Sequence, residues 1–150
     1  MIRLGEITPD NWLEAAHLQL AGGQSAFVAD PIGILARGYV YRNCRAQVWT
    51  VEEDGRVVGL AMIREFDDEP LGYELQQFII DRREQNRGIG TAALALILDR
   101  LRTESRWPTV EVCVKRADLP ALQVYAKAGF TDSGYIDPDV PDALNLVCQL

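Results

Sequence analysis

The run Phe78-Ile79-Ile80-Asp81-Arg82-Arg83-Glu84-Gln85-Asn86-Arg87-Gly88-Ile89-Gly90-Thr91 constrains this chain more than any other. It reads as a buried strand feeding a basic loop with two glycines, and the loop opens a helix. Leu94, Ile97, Leu98 and Leu101 follow at i, i+3, i+4, i+7, which makes one buried stripe on that helix. Physically this is an anion site. Glycines let the backbone approach a ligand, loop N–H groups point inward, and the unpaired first-turn N–H groups carry partial positive charge. Arg82, Arg83 and Arg87 are expected to add positive charge, and a diphosphate fits.

The surrounding pattern sets the architecture. Met1 to Ile7 reads as a strand. Thr8-Pro9 is a helix start, and the helix is expected to run to about Leu20 before Ala21-Gly22-Gly23. Asp30-Pro31 offers a second start carrying Ile34 and Leu35, although Gly33 and Gly38 count against it. A hairpin follows: Ala46–Glu53, an Asp54-Gly55 turn, and Arg56–Phe66. Gly72–Ile80 is a strand, Gly88–Arg106 a helix and Thr109–Val114 a strand. Leu119–Ala128 is a helix closed by Gly129, and Thr131–Ile136 and Leu144–Leu150 are strands. This is a mixed α/β (α+β) sheet, expected as one domain over residues 1–150.

Other chemistries lack their residues. A Walker loop needs Gly-Lys-Ser/Thr. Gly88-Ile89-Gly90-Thr91-Ala92-Ala93 matches a dinucleotide fingerprint loosely, but an antiparallel hairpin precedes its strand and no Asp ends the next one. Cys44, Cys113 and Cys148 form no C-x-x-C, and no metal site is expected; Cys113 and Cys148 sit in apolar stretches and read as core. The one histidine, His17, reads as a helix-face residue.

Charge narrows the partners. The net charge is −7, with no basic face for nucleic acid. Residues 52–74 hold eight acids against two bases, and Asp132, Asp137, Asp139 and Asp142 follow without a base. These stretches are either solvated loops or a field that attracts a cationic substrate. No apolar run approaches the ~20 residues of a membrane span. The first residues lack a signal-peptide core, so the cytoplasm is the expected location.

Gln85-Asn86-Arg87-Gly88-Ile89-Gly90 resembles the Q/R-x-x-G-x-G/A acyl-CoA loop of the GNAT family of N-acetyltransferases. Ala121-Leu122-Gln123-Val124-Tyr125-Ala126-Lys127-Ala128-Gly129-Phe130 resembles that family's A-x-x-L-Y-x-x-x-G-F, with Val124 for Leu. The likeness is close over residues 72–136 and follows element order over the rest. Gly72–Asp81 and Gln24-Ser25-Ala26-Phe27-Val28-Ala29 are most similar to the spermine/spermidine (diamine) acetyltransferase branch, though Gln77 stands where that branch often has Arg.

The resemblance implies a three-layer GNAT-like fold: a mostly antiparallel sheet of about seven strands flanked by about four helices. It also implies transfer of an acetyl group from acetyl-CoA, by direct attack, onto a primary amine of a small cationic acceptor such as spermidine. Residues 85–91 (Gln85, Asn86, Arg87, Gly88, Ile89, Gly90, Thr91) would hold the diphosphate, and the backbone of Phe78, Ile79 and Ile80 would polarise the thioester. Tyr125 takes the general-acid position. Glu74 is the base chosen here; at period 2 it shares a sheet face with Phe78. Lys127 either contacts the 3′-phosphate or is a solvated helix lysine. Asp118 stands where the family usually has Asn, which questions any contact needing a donor. Phe27, Trp49 and Tyr73 either line an acceptor pocket or are core. Asp30 and the loop 137–142 would face the acceptor. A homodimer is common in the family. The alternatives are another amine (amino acid, aminoglycoside or peptide N-terminus), a non-catalytic acyl-CoA-binding module, and a nucleotide-binding domain.

Overall fold

The computed structural model describes all residues 1–150. Its strands are β1 (Ile2–Glu6), β2 (Gln47–Glu53), β3 (Arg56–Glu65), β4 (Tyr73–Ile80), β5 (Thr109–Lys115), β6 (Thr131–Asp132) and β7 (Ala143–Gln149). They form a single seven-stranded sheet in the order β1-β2-β3-β4-β5-β7-β6. Every neighbouring pair is antiparallel except β4 and β5. Four helices flank it: α1 (Trp12–Ala16), α2 (Pro31–Val40), α3 (Ile89–Glu104) and α4 (Leu119–Lys127).

Strand alternation divides the core between two faces. Leu94, Ile97, Leu98 and Leu101 of α3, with Tyr125 of α4, pack against Ala61, Ile63, Tyr73, Leu75, Val110, Val112 and Val114. Trp49 and Tyr73 belong to this core, which settles them as packing residues rather than pocket walls. On the other face Ala15, Leu18 and Ile34 cover Leu60, Met62 and Ile79.

The helix ends differ from expectation for local reasons. Asn11 takes over the start of α1: its side chain accepts from Thr8 N–H at 2.8 Å and donates to the Glu6 carbonyl at 2.9 Å. These bonds hold residues 8–11 in a separate turn, so the helix begins at Trp12. It stops at Ala16 rather than Leu20. Farther on, Gln19 is drawn out by tertiary bonds, its N–H to Asp81 and its carbonyl to Arg82 N–H. In α2, Asp30 caps Gly33 N–H at 2.6 Å and Pro31 fills the first turn. Gly38 is there for close approach, because a Cβ would lie 2.7 Å from Val48 Cγ2. The strand expected over Thr131–Ile136 is only two residues long.

Two irregularities on β4 make the site. Its pairing with β5 is limited to Tyr73↔Val110 and Glu74↔Glu111, beyond which the strands separate. Its register with β3 jumps from Ile63↔Leu75 to Met62↔Gln77, so Gln76 is the extra residue of a bulge. The bulge inverts the alternation. Leu75 and Phe78 face α3, whereas Gln77 and Ile79 face α1 and α2. Glu74 and Phe78 therefore lie on opposite faces, not on one face as uninterrupted period 2 predicts.

Candidate active site

The gap between β4 and β5 is a cleft of about 500 Å³. That is within the range of small-molecule sites. One wall is the end of β4 and the loop into α3: Phe78, Ile80, Gln85, Asn86, Gly88, Ile89, Gly90 and Thr91. The facing wall is β5 and α4, with Cys113, Lys115, Asp118 and Tyr125. The segment after α1 closes the mouth with Gln24 and Phe27.

The loop wall is shaped by carboxamide and carboxylate anchors. Asp81 is 1% exposed. It accepts from the N–H groups of Gln19 (3.0 Å) and Arg83 (2.8 Å) and from the Arg83 guanidinium. Those partners hold its carboxyl down at about 2. Gln85 Nε2 donates to the Ile80 carbonyl at 2.9 Å and so ties the loop back to β4. Asn86 (φ +63°) and Gly88 (φ +79°) are left-handed, and Gly88 begins α3. The backbone N–H groups of residues 85–91 donate no hydrogen bond within the chain. They form an unspent donor set on the positive end of a helix.

The arginines do not add to it as expected. Arg87 is a fork on Glu53 (2.9 and 3.0 Å) and also meets Glu84. Arg83 is bound to Asp81, and Arg56 lies against Glu84. Only Arg82 of the three has no ion pair. Arg82 is exposed outside the cleft, so the free donors on this wall are backbone N–H groups.

Tyr125 is buried, with its ring 5.2 Å from Phe130 in an edge-on contact. Burial, and secondarily the nearby Asp118, raise its phenol well above the ordinary range, so it is protonated at any working pH. Its hydroxyl has no partner in the chain. Asp118 is the N-cap of α4, accepting from Ala121 N–H at 3.4 Å. A cap needs only an acceptor, which Asp supplies as well as Asn.

Four expected site residues stand elsewhere. Asp30 spends its carboxylate on the α2 cap. Lys127 is exposed in the last turn of α4, outside the cleft. Ile79 is buried under α1 and α2, leaving only its backbone for any role in the site. Glu74 is locked to Arg64 Nε at 2.7 Å, and it also accepts from Gln76 Nε2 at 3.3 Å. Across the strand pair, Glu111 has no ion-pair or hydrogen-bond partner; burial and then the Glu74 charge push its carboxyl up.

Sequence reasoning missed Gln76, Glu111, Cys113 and Lys115. Cys148 is buried, but Cys113 is exposed in the cleft. It lies between Val112 and Val114, which face the core, and its own side of β5 has no helix over it. Partial desolvation within the cleft and then the Glu74 and Asp137 charges push its thiol up. Alternation along β5 was the available signal.

A sequence profile of the acetyltransferase (GNAT) family matches residues 15–130, and the chain belongs to that family. It is a GNAT-family acetyltransferase. Solved structures agree in fold. The GNAT domain of S. lividans PAT superposes with a TM-score of 0.76 at 15% identity, covering 99% of this chain and 90% of that one. A GNAT family acetyltransferase from Elizabethkingia anophelis, solved with acetyl-CoA bound, gives 0.71 at 14% identity, covering 99% and 98%. The ribosomal-protein-S18-alanine N-acetyltransferase from Escherichia coli gives 0.71 at 18%, covering 99% and 94%. No curated protein matches the sequence significantly. No helix is long and apolar enough to cross a membrane.

Proposed function

We propose that this acetyltransferase acts on a primary amine of a small cationic acceptor, with a polyamine such as spermidine as the first substrate to test. The observation that carries this reading is a group of carboxylates beside the cleft, at the place where β4 and β5 begin to part. Glu74 and Glu111 face each other at the last register position before the strands separate, and Asp137 adds its charge at Cys113 on the cleft wall. Such a field concentrates an alkylammonium. A peptide N-terminus is the second reading, because the Escherichia coli neighbour is an S18-alanine N-acetyltransferase.

In this reading residues 85–91 hold the diphosphate through their free N–H groups, and the thioester lies along β4 beyond the bulge. The amine attacks the carbonyl carbon, the tetrahedral intermediate collapses, and the C–S bond breaks. Tyr125 faces the leaving sulfur as a neutral donor. A phenol held above its ordinary range gives its proton to a thiolate only uphill, so its hydrogen bond to sulfur does the first work. The amine's proton goes to Glu111, directly or through water, since Glu74 is neutralised by Arg64. An unpaired carboxyl raised by burial is the better base of the two.

The test is free-thiol release from acetyl-CoA with spermidine, spermine, putrescine, amino acids, an aminoglycoside and short peptides. Turnover confined to polyamines is the expected result. Turnover confined to peptides replaces the acceptor and keeps the chemistry. No turnover on any amine overturns the reading.

A further inference from the structure

One side-chain atom in the molecule is buried without a hydrogen-bond partner, Oε1 of Gln76, and Gln76 lines the cleft. Gln76 is the bulge residue of β4, at the point where β4 and β5 part. Bulges re-aim side chains beside active sites. The amide's orientation is dictated by its neighbour. Nε2 donates to Glu74 Oε1, and Glu74 is fixed by Arg64. Turning the amide over would set its carbonyl oxygen against a carboxylate. Arg64 is held in turn over the Tyr41 ring at 4.8 Å. The chain Arg64–Glu74–Gln76 thus ends in a carbonyl oxygen with nothing to accept. Such a group weakens the free protein and is satisfied when a ligand brings a donor.

We infer that Gln76 Oε1 accepts an N–H of the attacking amine and orients it at the split between β4 and β5. This inference rests on the acetyltransferase reading above. An amide carbonyl is not a base, so no proton moves to it. A neutral primary amine keeps two N–H bonds; one can be held by Gln76 while the lone pair faces the thioester carbon. An alcohol must lose its only O–H proton to attack and has none left for Gln76. The residue therefore favours nitrogen over oxygen acceptors, while Glu74 and Arg64 act as positioning residues behind it.

The experiment uses the amine on which the wild-type enzyme turns over, so the acetyltransferase reading holds in every arm. Gln76→Met removes the acceptor at similar length. The expected result is a fall of about tenfold to a hundredfold in kcat/KM for the amine, including kcat at saturating amine, with the KM for acetyl-CoA within about twofold. Gln76→Asn keeps the amide but draws it back, and the same loss is expected at an unchanged melting temperature. Glu74→Gln is expected to lower the same parameter, and the double variant Glu74→Gln/Gln76→Met to be no worse than Gln76→Met alone. A Gln76→Met or a folded Gln76→Asn enzyme with wild-type kcat/KM overturns the proposal. Additive losses in the double variant overturn the relay through Glu74.

Discussion

The two sides of the cleft are made of different material. The proposed coenzyme side is backbone: free N–H groups over residues 85–91, two left-handed residues and a helix start. The proposed acceptor side is side chains: Gln76 and Cys113 on the cleft wall, with Glu74 and Glu111 beside it at the last paired position of β4 and β5. A backbone site depends on conformation and tolerates most side chains around it. The side-chain site depends on identity at each position. Even the arginines beside the coenzyme loop serve the fold, gripping Asp81, Glu53 and Glu84.

The largest effect is expected where one side chain does serve the coenzyme half. Tyr125→Phe should lower kcat about a hundredfold and leave the Kd for acetyl-CoA unchanged, as measured by steady-state rates beside calorimetric binding. Asp81 ties the loop wall to the segment after α1. Asp81→Asn should cost about 2 kcal/mol by chemical denaturation. With the folded carboxyl held at about 2, its contribution is complete above its unfolded value near 4. It is lost as pH falls through about 2. The acid limb of wild-type stability should therefore flatten in the variant.

A smaller loss is expected at Gly88. Gly88→Glu forces a side chain into the left-handed region and sets a carboxylate where the diphosphate would sit, so acetyl-CoA should bind about tenfold more weakly. Open space surrounds that position, so the fold should survive. The smallest effect sharpens the contrast most. Arg87→Ala should change acetyl-CoA affinity by less than about twofold, because the guanidinium is committed to Glu53 and Glu84. A tenfold loss there would make the coenzyme side a charge site after all.

The same difference explains what could be read from the sequence. Gln85-Asn86-Arg87-Gly88-Ile89-Gly90 announces a backbone site, because glycines and a helix start are local signals. The stripe on α3 and the Asp54-Gly55 hairpin are local too, and with them came the element order and the mixed sheet. The bulge at Gln76 is not local. It arises from pairing with β3, and it reversed the face assigned to Glu74. Which arginines are spent depends on residues as distant as Glu53. Alternation puts Cys113 off the core face, but the strand split beyond the Glu74–Glu111 pair that opens the cleft beside it arises from tertiary pairing. In α2, two glycines argued against a helix that Asp30, Pro31 and contact with Val48 nonetheless stabilise.

The most direct measurement is an acetyl-CoA titration followed by nitrogen-15 NMR, reading backbone amides and arginine side-chain Nε signals together. The account predicts large downfield shifts for amides between Gln85 and Thr91, Gly88 and Gly90 included, while the Arg87 Nε signal stays in place. Static amides with a moving Arg87 Nε would contradict it.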